Sequence, residues 1–118
     1  TLHTTSAPKT IDRIVDVFPA ADNEMVRSML SESLQAVISQ TLLRKRNGGR
    51  VAAHEILIGT RAIRNLIREN KIAQMRSAMQ TGQGDGMQTL DQSLQALVMK
   101  GIIDKKTARR KADNPDAI

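Results

Sequence analysis

A chain of 118 residues suits one compact domain and lacks the length for a second full one. It carries 18 Lys and Arg against 12 Asp and Glu, a formal charge of +6 that favours acidic partners: nucleic acid, nucleotide phosphates, an anionic membrane or an acidic protein face. The absence of cysteine excludes disulfides and thiolate metal sites and makes a reducing cytoplasm the simplest compartment, while no run approaches the roughly 18 apolar residues of a membrane helix.

The chain opens at Thr1 with neither an initiator Met nor an apolar signal segment, which reads as a processed or truncated start. His3 lies in LHTTSA (2–7), a polar turn leading into a helix, and such turns border active sites in α/β proteins. An incidental terminal histidine is the alternative that composition alone favours. Residues 7 to 18 place Ile11, Ile14, Val15 and Phe18 on one helical face, after a Ser6 cap and an early Pro8, until Pro19 stops the helix. Phe18 is the only aromatic residue, so Leu, Ile, Val, Met and Ala must fill the core. Asp22 or Asn23 caps a second helix whose stripe is Met25, Val26, Met29, Leu30, Leu34, Val37 and Ile38.

Around Thr41 the period changes, and residues 41 to 59 read as a β-hairpin turning at Asn47, Gly48 and Gly49. Its second strand ends in the apolar run 56–58, which fits a position inside a sheet. Two strands are not a self-sufficient sheet, so their partners are expected outside this chain. Thr60 then caps TRAIRNLIREN (60–70). At about 100° per residue, Arg61, Arg64 and Arg68 share one stripe and Ile63, Leu66 and Ile67 lie roughly opposite, so one face is built for burial and the other offers guanidinium forks to acidic groups. Solvation of an outer helix face is the plainer reading. A helix over 71–80 follows, with Ile72, Met75 and Met79 inward; GQGDG (82–86) breaks it. Another helix runs from Met87 to Lys100, Asp104 caps a short basic one, and NPDAI (114–118) frays.

Chemistry is sparse. No G-x-x-x-x-G-K-[ST] string occurs, so these residues lack a P-loop. Gly82, Gly84 and Gly86 follow no strand and enclose no lysine, which makes them a connector between helices. His54 has no second ligand at helical spacing and reads as a hydrogen-bonded structural residue on a strand. Lys105, Lys106, Arg109, Arg110 and Lys111 would suit a phosphate backbone, so a basic helical nucleic-acid-binding module is the alternative function, although stacking on single strands is poorly served without Tyr or Trp.

Several segments together resemble one family, the PilT family of ATPases that retract type IV pili. AIRNLIRE (62–69) is similar to the signature motif of the retraction branch and LHTTSA to its His box. TIDRIVDVFP (10–19), MVRSMLSESLQAVISQTL (25–42), GGRVAAHEILI (48–58) and GMQTLDQSL (86–94) match in the same order. The missing cysteines agree, because the related assembly and secretion ATPases carry a tetracysteine zinc motif after the helix equivalent to 25–40, where this chain has its hairpin.

The resemblance implies an α/β fold, the C-terminal portion of a RecA-like P-loop ATPase domain, helix-rich with one hairpin. Residues 1–59 would belong to the ATPase core and 60–118 to a C-terminal helical region. The parent would be a cytoplasmic hexamer, peripheral to the inner membrane, acting on the pilus machinery there and not on nucleic acid. It would bind ATP and Mg2+ through motifs upstream of Thr1, so this segment alone would bind neither and be inactive. His3 would be the catalytic residue near the γ-phosphate. Ala62, Ile63, Arg64, Asn65, Leu66, Ile67, Arg68 and Glu69 would form the retraction motif, with Arg61 standing where the family commonly has proline.

Overall fold

The computed structural model describes residues 6–118. Helix α1 (Ala7–Asp16) starts as its cap requires: the Ser6 hydroxyl accepts from the Lys9 amide at 3.2 Å and Pro8 occupies the first turn. It ends short of Phe18. A residue before proline is pushed out of helical geometry, and Phe18 precedes Pro19, so the ring leaves the expected stripe and stands 47% exposed. Ile11 and Val15 keep the inward face.

Helix α2 (Asn23–Ser33) is shorter than its apolar spacing implies. Leu34 is already extended, and Val37 and Ile38 belong to strand β1 (Ala36–Arg44). Helical spacing persists through these residues by coincidence. The β-branched pair and nine cross-strand partners on β2 (Arg50–Ile58), from Ala36 opposite Ile58 to Arg44 opposite Arg50, outweigh it. The stripe is also not a core stripe, since Met25 and Met29 are exposed.

The hairpin turn uses Gly48 and Gly49 at φ of 91° and 75°, where a side chain would be strained. Among the described residues the sheet has these two strands only. The free edge of β2 is partly covered by Gln88, which exchanges two main-chain hydrogen bonds with Ile56 at 2.9 and 3.1 Å. The apolar run at the end of β2 is buried beneath helices through Leu57.

Helix α3 (Arg61–Arg68) and α4 (Ile72–Thr81) follow, then a short 3-10 turn at Gln83–Asp85. Helix α5 (Leu90–Met99) begins three residues later than its pattern implied, because Gln88 is committed to the bridge and Thr89 and Gln92 form a reciprocal capping box. Helix α6 (Lys105–Lys111) is capped by Asp104, whose carboxylate accepts from the Thr107 amide at 2.7 Å. That main-chain bond, with the Thr107 hydroxyl next, holds the Asp104 carboxyl below its ordinary value against a small opposing desolvation, and Arg46 and Arg110 add to the lowering. Stability from this cap is thus present above the ordinary carboxylate pKa and lost as pH falls through the lowered one.

The last residues do not fray. Asp91 accepts from the Asp113 and Asn114 amides at 2.8 and 3.0 Å, the Gln95 amide donates to the Ala117 carbonyl, and Pro115–Ala117 closes a 3-10 turn. One apolar cluster joins Ala7, Ile11, Leu57, Ile63, Ile67, Met75, Met79 and Met87, drawing on α1, β2, α3 and α4. A second joins Leu43, Ala53, Leu90, Leu94, Ile103 and Ala108 under the hairpin's far end.

Gly59 is the tightest backbone approach on the way into α3. Its amide donates to the Gln35 carbonyl at 2.9 Å, and a Cβ at this position would overlap the Leu34 carbonyl oxygen. Gly59→Ala is expected to cost about 1–3 kcal/mol, because backbone and not a flexible side chain must give way. Urea unfolding of the two forms measures it.

Candidate functional site

The Thr60 hydroxyl accepts from the Ile63 amide at 3.3 Å and starts α3 as its sequence implied. Ile63 and Ile67 are wholly buried in the cluster shared with α1, and Leu66 packs partly against it. Arg61, Ala62, Asn65, Arg68 and Glu69 are exposed. Asn70, at φ 57°, ends the helix in the left-handed conformation that Asn tolerates.

Arg64 departs from the expected stripe. Its Nε donates to the Gly59 carbonyl at 2.7 Å, Nη1 to the carbonyls of Ser31 (3.0 Å) and Glu32 (2.6 Å), and Nη2 to that of Leu34 at 3.1 Å. The last carbonyls of a helix have no partner within it and carry its negative dipole end, so a fixed cation with a planar fork suits them. Arg64 is thus the C-terminal cap of α2, delivered from α3 some thirty residues later. It does not stand with Arg61 and Arg68 to meet an outside acid. The local sequence has no signal for this, because the acceptors are main-chain groups that any residue carries. Arg68 Nη2 donates to Asn65 Oδ1 on the surface, and Glu69 pairs with Lys71 at 3.0 Å there.

No sequence motif marks Glu55. It is 2% exposed, and its Oε1 accepts from the Ala7 amide at 2.8 Å while Oε2 accepts from the Leu90 amide at 3.1 Å. Ala7 and Leu90 are the first residues of α1 and α5, so one buried carboxylate serves two positive helix ends. A signal existed: on β2, Ala53, Glu55 and Leu57 alternate inward, and a carboxylate at an inward register position needs donors. His54 points the other way, and its Nε2 meets Oε1 of its cross-strand partner Gln40 at 3.2 Å, a structural contact as its context implied.

His3 lies outside the described residues. Helix α1 begins four residues after it, with its first amide held by Glu55.

Nucleotide phosphates do not fit the glycine loop. The N-terminus of α5 behind it is largely taken: Glu55 takes the Leu90 amide, Thr89 takes that of Gln92, and Gln92 takes that of Thr89. Residues 82–86 also contain no lysine. Among the described residues no group of three or more His, Cys, Asp or Glu side chains could hold a metal, and no helix is long and apolar enough to cross a membrane.

No protein-family model matches the chain. It is 71% identical over 116 residues to the type IV pilus retraction ATPase PilT of Pseudomonas aeruginosa, covering 98% of this chain and 34% of that protein. It is 66% identical to a twitching motility protein of Neisseria gonorrhoeae, covering 100% of this chain and 32% of the relative. Among solved structures, the pilus retraction motor PilT with bound ADP superposes with a TM-score of 0.88 at 48% identity, over 100% of this chain and 33% of that one. The Legionella pneumophila ATPase DotB, at 23% identity and a TM-score of 0.76 over 93% of this chain and 30% of its own, shares the fold. The chain spans about a third of the length of these relatives. With two curated relatives above 60% identity across almost all its residues, the chain belongs to the PilT family.

Proposed function

We propose that this chain is the C-terminal part of the RecA-like domain of a motor that retracts type IV pili and drives twitching motility. ATP and Mg2+ would be bound by residues outside it, in a hexamer at the cytoplasmic face of the inner membrane, where the motor would meet the pilus machinery. Residues 1–59 would complete the ATPase core and 60–118 form the helical region. The observation that carries the reading is the seating of α3: its aliphatics share one core cluster with α1, which leads out of the His3 segment, and Arg64 ties it to the end of α2. Displacement of α1 would therefore be passed to the motif helix as a rigid movement. Within the motif, Ile63, Leu66 and Ile67 seat the helix, Arg64 latches it, and Ala62, Asn65, Arg68 and Glu69 face outward toward whatever the motor moves. His3 is the residue of this chain assigned to the nucleotide side. The high identities favour this reading over a basic nucleic-acid-binding module.

Comparison of ATP turnover by residues 1–118 and by the full-length protein tests the division of labour. The full-length protein is expected to hydrolyse ATP and the segment to show none. Robust hydrolysis by the segment would refute it.

A further inference from the structure

The positive charge of this chain is concentrated in two stretches. Residues 44–50 and 104–111 hold nine of the 18 Lys and Arg but one of the 12 Asp and Glu, a net +8 that leaves the remaining residues at −2. They are sixty residues apart in sequence, and folding brings them together. The Arg46 amide donates to the Ile102 carbonyl at 2.9 Å, Leu43 packs in one cluster with Ile103 and Ala108, and Arg46 and Arg110 both act on Asp104. All nine cationic residues are exposed. Among the described residues the ion pairs are Lys71 with Glu69 and Arg76 with Asp113, so none of the nine is in one.

We propose that the hairpin tip and α6 form a docking surface for an anionic lipid bilayer. The composition of the surface selects this partner. A protein interface is anchored by buried aromatic or large apolar residues, and neither stretch contains any. Single-stranded nucleic acid wants stacking rings, which are also absent, and a duplex, whose phosphates the same cations could meet, is the competitor that the test below includes. Mobile acidic headgroups read charge density alone, at about 1 kcal/mol for each Lys or Arg near the surface, which is about fivefold in partitioning. A hairpin turn and a short helix braced on a common apolar cluster present that density on a firm base. The inference goes beyond the motor reading, since it rests on charge distribution and not on ATP chemistry.

Sedimentation of the full-length protein, without nucleotide, with vesicles of phosphatidylcholine mixed with phosphatidylglycerol or of phosphatidylcholine alone tests it. Binding is expected to the mixed vesicles only and to weaken as salt rises. Neutralising Lys45, Arg46, Arg109 and Arg110 together to Gln should weaken it several hundred-fold, while Lys9→Gln with Arg13→Gln, away from the surface, should leave it nearly unchanged. If the fourfold variant fails to fold, Lys105→Gln with Lys106→Gln carries the test with about a 25-fold loss. Equal binding to phosphatidylcholine alone, or undiminished binding by a folded variant of the surface, overturns the proposal. Tighter binding to a DNA duplex than to the mixed vesicles at the same salt does so as well. Because no ATP is present, vesicle binding can fail in a motor that hydrolyses normally, and the reverse.

Discussion

Arg64→Ala is expected to destabilise the protein by about 2–4 kcal/mol, the loss of several charge-assisted hydrogen bonds to main-chain carbonyls, discounted because water reaches part of the site. The side chain is half-buried and spends its fork on Gly59, Ser31, Glu32 and Leu34. Removing it strands the end of α2 without its cap and removes the polar tie between α3 and α2, leaving only their apolar packing. Arg64→Lys should recover only part of the loss, because one ammonium cannot reach from the Gly59 carbonyl to three carbonyls at the end of α2. Thermal unfolding is the measurement: a drop of about 10 °C for Ala, with Lys in between, is the expected order. Equal stability of all three forms would show that the fork adds nothing to the fold.

Glu55→Ala is expected to cost about 3–5 kcal/mol. The carboxylate is buried, and both its oxygens accept from the first amide of a helix, so its removal leaves two donors without an acceptor and withdraws a negative charge from two positive helix ends. Glu55→Gln keeps one acceptor oxygen but sets an amide NH2 against the other N–H, so it should recover only part. The signature is local as well as global. Hydrogen exchange of the Ala7 and Leu90 amides should accelerate together, although they lie far apart in the sequence. Unchanged exchange at both positions in the Ala variant would remove Glu55 from this role.

Much of this architecture was legible because local chemistry and periodicity agreed. Ser6, Thr60 and Asp104 cap the helices they precede, and Met75 and Met79 turn inward where the spacing put them. Periodicity misleads where distant partners decide. Leu34, Val37 and Ile38 extend a helical period, yet β2 claims the last two as strand. Gln88 looks like the first turn of a helix, yet Ile56 takes both its main-chain groups. The tail NPDAI looks loose, yet Asp91 and Gln95 secure it. The motif helix was half readable in the same way. Its aliphatic face followed from spacing, whereas the destination of Arg64 depended on carbonyls that no side chain announces.

Arg68 provides the most direct test of α3 as the element that passes force outward. It is exposed, and among the described residues its hydrogen bond runs to Asn65 on the same helix, so Arg68→Glu should leave folding intact while reversing the charge that the motif presents. Retraction speed of single pili in cells carrying that variant, alongside ATP turnover of the purified full-length protein, is the measurement. The account requires turnover near normal with retraction slowed or abolished; retraction at normal speed would contradict it.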